Sequence, residues 1–213
     1  MEPADLRAAN IVPAAGCLLV AAPMLRDPHF VRTIVLLLEV ETGDRDGDGD
    51  SGGEDAVDRE GSVLGVVLNR PGTVAVGDVL AAWGPAVSAP AVLFEGGPVS
   101  PESAVAVGRL SDPRAGDPVG WRALDEATGL VDLDTPTELV GPALAGLRIY
   151  AGYAGWSWSQ LLGEIAEGAW YVVPSVPEDL LVEDPAALWR QVLGRQPGDL
   201  AWLATWPADP TQN

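Results

Sequence analysis

The chain has 213 residues, 47% of them hydrophobic, enough for one sizeable core or two small ones. Its single cysteine, Cys17, excludes an intramolecular disulfide and any multi-cysteine metal centre, and its single histidine, His29, puts the familiar zinc constellations out of reach. A formal net charge of −19, made by 31 acids against twelve arginines and no lysine, leaves an average surface that repels phosphate backbones and disfavours non-specific nucleic-acid binding.

The chain opens with a polar, Pro-containing leader over residues 1–15. MEPADLRAAN lacks the basic start and apolar centre of a signal peptide, and no apolar run approaches the roughly 20 residues that span a bilayer, so the expected location is the cytosol. GCLLVAAP (Gly16 to Pro23) reads as a buried strand, MLRDPHF as a loop, and TIVLLLEV (Thr33 to Val40) as a second strand. Its continuous apolar run is of the kind covered on both faces.

An acidic stretch follows. DRDGDGDSGGED, Asp44 to Asp55, sets acids at loop positions 1, 3, 5 and 7, Gly49 at position 6 and Asp55 at position 12, close to the calcium pattern of an EF-hand. An EF-hand needs a helix on each side, however, and here SVLGVVLNRP (Ser62 to Pro71) resumes as a third strand. Position 8, normally apolar, is Ser51. The expected segment, about residues 42–61, is a solvated loop inserted into a hairpin, with no metal or cofactor assigned.

VGDVLAAWG (Val76 to Gly84) suggests a short helix, AVLFEGGPV (Ala91 to Val99) a strand ending in a glycine turn, and AVAVGRL (Ala104 to Leu110) another strand before a Pro- and Gly-rich loop to about Gly120. Thr135, Pro136 and Glu138 read as the capped start of a helix ending near Gly146. In LRIYAGYAGWSWSQLLGEIAEGAWYVVP, LRIYAGY reads as a strand, AG as a turn, and Ser157 with Gln160 as the capping box of a helix to about Gly168. Trp158, Leu161, Leu162 and Ile165 form its apolar stripe, and WYVVP is a short strand. Asp184 and Pro185 start a last helix through about Arg195 that buries Leu188, Trp189, Val192 and Leu193, and the tail LAWLATW is expected to pack on the body. The whole reads as one domain, 1–213, of mixed strands and helices.

Chemistry has few places to sit. Cys17 lies in an apolar strand and His29 in a loop, which gives nucleophilic catalysis little support, so no catalytic residue is assigned. Three stretches put backbone amides or polar groups at strand ends: Asn69-Arg70-Pro71, Gly96-Gly97-Pro98, and Gly152 to Ser157. Glycine lets the backbone approach a ligand, and a helix beginning near Ser157 would aim free N–H groups at the turn before it. The plainer alternative is that these glycines serve tight turns, Arg70 and Arg148 make surface ion pairs, and Ser157 only caps its helix. Tyr153, Trp156 and Trp158 are pocket or core aromatics, with Trp156, in the expected turn, the better pocket residue.

LLVAAPMLRDPHFVRTIVLLLE, GVVLNRP, LFEGGPV, RIYAGYAGWSWSQLLGEIAEGAW and LWRQVL, in this order from about Gly16 to Arg195, resemble the bacterial AlgH/YqgE-like family. The resemblance implies a single α+β domain whose mixed, bent sheet approaches a barrel flanked by helices. It implies no established activity, only an association of the AlgH name with regulation of alginate synthesis genes. Two features depart from the family pattern: the acidic segment lengthens a usually short turn, and Val40 follows Glu39 where a His is common.

The expected function is that of a non-enzymatic cytosolic protein of regulatory role that binds a small anion or a protein partner at a rim made by Asn69, Arg70, Gly96, Gly97, Gly152, Tyr153, Gly155 and Trp156. The alternatives are an enzyme, hydrolase or transferase, using the amides of the same loops, and a transcriptional regulator.

Overall fold

The computed structural model describes residues 11–43 and 60–207, so the acidic stretch Asp44 to Asp55 lies outside the described residues. One curled sheet of ten strands dominates, in the order β10-β1-β2-β3-β9-β6-β8-β7, with β4 and β5 on a side branch. The strands are β1 (Cys17–Ala21), β2 (Ile34–Val40), β3 (Ser62–Val67), β4 (Pro71–Ala75), β5 (Val92–Glu95), β6 (Val99–Leu110), β7 (Trp121–Ala123), β8 (Thr128–Val131), β9 (Leu144–Ser157) and β10 (Trp170–Pro174). Among the described residues all strand pairings are antiparallel except β5 with β9, which makes the sheet mixed, and its half-barrel curl with a few flanking helices is the α+β architecture expected.

The apolar run of β2 is explained by cover on both faces. Ile34, Leu36 and Leu38 point into a core closed by α4 (Leu188–Gly194), with Leu188, Trp189, Val192 and Leu193 fully or nearly buried. Val35 and Leu37 point the other way, into a second core under α3 (Trp158–Ala166) with Trp156, Leu161 and Trp170. A third cluster, around Trp83, Leu147 and Ile149, lies between the other face of β6 and β9 and two four-residue helices, α1 (Val76–Val79) and α2 (Thr137–Val140). A last short helix, α5 (Leu200–Leu203), follows α4.

The long strand β9 joins the two ends of the sheet. Its first part pairs with β6 on one edge and β5 on the other, and its last four residues pair with β3. Tyr150 packs in the first core, yet Ala154 and Trp156, of the same parity, pack in the second, while Tyr153 takes the place facing the first. The face of the strand reverses at Gly152, whose φ of +69° lies in the left-handed region that favours glycine.

Several expectations are corrected. AG at residues 154–155 is not a turn, because β9 runs unbroken through it to Ser157. The helix at Thr135 is shorter and begins at Thr137, with Pro136 as its N-cap and no side-chain cap bond; Pro142 ends it in a 3-10 turn, 141–143. Ser157 does accept the Gln160 N–H at 3.2 Å, but the Gln160 side chain donates to Glu164 at 2.8 Å, so only half of the capping box forms. Within the tail, Leu200 is buried but Trp202 is 74% exposed and does not pack on the body.

Candidate functional site

Asn69 and Arg70 follow β3 and reach back to the loop between β1 and β2. The Asn69 carboxamide accepts the Ile34 N–H at 3.0 Å and donates to the Arg32 carbonyl at 2.9 Å. Arg70 donates through Nη2 to the carbonyl of Val31 at 3.1 Å. Together they hold Arg32 at φ +55°, a left-handed conformation unusual for a residue with a Cβ.

The Arg32 guanidinium lies 4.7 Å from the centroid of Trp189 and donates through Nη2 to the carbonyls of Trp206, at 2.8 Å, and Pro207. Its pKa is held below the ordinary arginine value by burial and then by repulsion from Arg190, on the exposed side of α4. Among the described residues neither Arg32, Arg70 nor Arg190 forms an ion pair; those present are Arg109 with Glu178, Arg122 with Glu39, and Arg195 with Asp179. Like charges brought together without counter-charge favour an anion between them.

The glycine stretches come together by filling one another's space. The Gly96 N–H donates to Ala151 O at 2.8 Å and its carbonyl accepts the Val67 N–H at 2.9 Å, so both polar groups are spent in the sheet. A Cβ added at Gly96 would sit 2.2 Å from Gly152 O, one at Gly97 2.3 Å from the Tyr153 backbone, and one at Gly152 2.7 Å from Gly97 O. Gly96, Gly97, Gly152 and Tyr153 therefore form a close backbone crossing. Gly155 is exposed further along β9, where it pairs with Leu64.

Trp156 belongs to the core and not to a turn. It is 6% exposed, its ring centroid lies 5.9 Å from that of Trp170 and 5.7 Å from that of Phe30, and both indole N–H groups donate to Glu164 Oε2, at 3.1 and 2.7 Å. The first amide of α3, that of Trp158, donates to Gly61 O at 2.7 Å instead of facing an open turn. Cys17 begins β1, and His29 is exposed in the loop beyond the other end of that strand.

Arg148, read from sequence as a possible surface ion-pair residue, is 1% exposed. Arg32 and Arg190 were missed because nothing local distinguishes an arginine in a loop or on a helix face; only the fold brings them near each other. An open hollow of about 670 Å³ on the β6–β8–β7 surface is lined by Trp121, Arg122, Asp132 and Asp134 among others, and by none of the eight expected rim residues.

The AlgH-like family matches residues 56–201 of the chain. A UPF0301 protein of Streptomyces coelicolor is 50% identical over 200 residues, covering 93% of this chain and 94% of that protein. A UPF0301 protein of Mycobacterium leprae is 40% identical over 203 residues, covering 93% and 90%. The crystal structure of protein DIP2367 from Corynebacterium diphtheriae superposes with a TM-score of 0.79 at 30% identity over 93% of this chain and 95% of that one. The solution structure of the AlgH protein from Pseudomonas aeruginosa, at 22% identity and a TM-score of 0.59 over 94% and 99%, shares the fold.

Proposed function

The chain belongs to the AlgH-like family, whose function is not established, and we propose that it is a binding protein, with a regulatory role, for a small anion at the end of the sheet where Asn69 and Arg70 hold the loop that carries Arg32, beside the charge of Arg190. The observation that carries this reading is the Arg32 guanidinium, held at the end of the sheet by the Asn69 clamp and laid over Trp189, in no ion pair among the described residues and under the like charge of Arg190, in a chain of net charge −19. Guanidinium groups stay protonated and present only donors, so the arrangement suits a phosphate or carboxylate and offers no base for a reaction. The glycine crossing at Gly96, Gly97 and Gly152 contributes by anchoring β9 against β5 and β6, and Trp156 by packing beneath α3.

A second reading, a protein partner on the same face, is favoured by Trp202, which exposes 74% of its surface close in the chain to Trp206, whose carbonyl holds Arg32. Direct DNA regulation is the weakest of the readings, because the acidic surface opposes a phosphate backbone.

The test is a titration of the full chain with inorganic phosphate and with citrate, followed by NMR of the arginine side-chain and backbone amide signals. Saturable shifts at Arg32, Arg70 and Arg190, lost in Arg190→Gln, are expected. Shifts spread evenly over all arginines would reject a specific anion site. Trp202 and Trp206 responding only to an added protein fraction would favour the partner reading.

A further inference from the structure

A separate site, sharing no residue with the one above, lies inside the body. Arg148 and Tyr150 point from the same face of β9, and they are 1% and 0% exposed. The guanidinium donates through Nη2 to Val182 O at 2.5 Å and more weakly to Ala89 O at 3.4 Å, while its Nε and Nη1 and the Tyr150 hydroxyl have no partner among the described residues. Phe94 covers one face of the guanidinium, its centroid 4.6 Å from Cζ, which leaves the in-plane donors untouched.

Carbonyl dipoles and an aromatic face do not cancel a full charge, and burying an uncompensated cation is costly. None of the described carboxylates pairs with Arg148, although the chain carries 31 acids. Tyr150 cannot be the counter-charge, since burial pushes its phenol well above the ordinary tyrosine value and keeps it neutral. What remains is a set of donors, positive overall, closed off from solvent.

We propose that Arg148 and Tyr150 hold a small inorganic monoanion of the halide class, with chloride the natural occupant. A closed site of this kind, with Arg148 and Tyr150 1% and 0% exposed, excludes organic phosphates and carboxylates. A water molecule in the same place would satisfy hydrogen bonds but not the charge.

The experiment uses the full chain. Crystals soaked in sodium bromide should give an anomalous peak within hydrogen-bond reach of Arg148 Nε or Nη1 or of the Tyr150 hydroxyl. In solution, the thermal midpoint should rise with sodium chloride more than with sodium gluconate at equal ionic strength. Tyr150→Phe, which keeps the arginine and the packing shape, should raise the chloride concentration for half-maximal effect about tenfold, the loss of one hydrogen bond to a charged group. Equal midpoints in the two salts, or a map with only water beside Arg148, would overturn the proposal, as would bromide bound elsewhere alone.

Discussion

Asn69 clamps Arg32 across the end of the sheet: its Nδ2 donates to the Arg32 carbonyl at 2.9 Å while its Oδ1 accepts the N–H of Ile34 at 3.0 Å. The clamp holds Arg32 at φ +55° and aims its guanidinium across Trp189 toward the carbonyls of Trp206 and Pro207. Asn69→Ala removes both bonds and should destabilise the protein by about 1–3 kcal/mol. Asn69→Asp keeps the acceptor but turns a carboxylate oxygen toward the Arg32 carbonyl where a donor stood, so it should not recover the loss. Urea denaturation measures both, and faster hydrogen exchange at the Ile34 amide should accompany Asn69→Ala. An Asn69→Ala protein of unchanged stability would show that the clamp is idle.

Gly152 is where β9 turns its side chains from one core to the other. Gly152→Ala meets a left-handed φ of +69° and a Cβ only 2.7 Å from Gly97 O, with backbone on both sides and no flexible side chain to give way. A loss of at least about 2 kcal/mol is expected. Gly163→Ala provides the contrast: an added Cβ there meets nothing within 4 Å on α3, so alanine should stabilise by about 0.5–1 kcal/mol through helix propensity. Thermal denaturation of the two variants should therefore move in opposite directions.

Where the sequence was legible, one physical rule governed the element. The apolar runs of β1 and β2 and the 3.6-residue stripe of α4 carry their burial in their pattern, and Ser157 and Asp184 mark their helix starts because each side chain accepts a backbone N–H there. The hairpin β7–β8 went unread because strands of three and four residues have too little length to display a period. Ala154 and Gly155 imitate a turn, yet pairing with β3 holds them extended, a tertiary effect that local propensity does not record. The alternation in LRIYAGY gives opposite faces to Arg148 and Ile149 but not the fact that both faces are covered, so a buried arginine looked like a surface one. The two glycine stretches, at Gly96-Gly97 and at Gly152, stand apart in the sequence; their meeting at a single crossing depends on the parallel pairing of β5 with β9, which joins strands distant in sequence.

Asp179 and Arg195 tie the segment after β10 to the end of α4. Both guanidinium Nη atoms donate to the carboxylate, at 2.5 and 2.6 Å, and Oδ2 also accepts the Val176 N–H at 2.9 Å. Asp179 is 5% exposed, so Arg195→Met would leave a buried carboxylate with one backbone partner, and a loss of about 3–5 kcal/mol is expected. Replacing both, as Asp179→Leu with Arg195→Met, should recover much of that loss, because two apolar groups leave no stranded charge. A double-mutant cycle measured by denaturation checks it, and additivity of the two single costs would disprove the coupling.

Tyr150 should make stability depend on pH at the alkaline end. Burial raises its phenol pKa in the folded protein, with the Arg148 charge pulling the other way as the smaller effect. In the unfolded chain the same phenol ionises near pH 10. The folded state therefore keeps a proton that the unfolded state has released: the contribution is fully present below about pH 10 and is lost as the pH rises above it toward the folded pKa. The ultraviolet ionisation curve of the native protein minus that of Tyr150→Phe should be flat through that region, whereas the same difference in guanidinium should show a normal phenol step. The wild type should also lose more stability between neutral pH and the alkaline limit of folding than Tyr150→Phe does. A native difference curve with a step near pH 10 would mean that solvent reaches the hydroxyl, and the closed site drawn around Arg148 would fall with it.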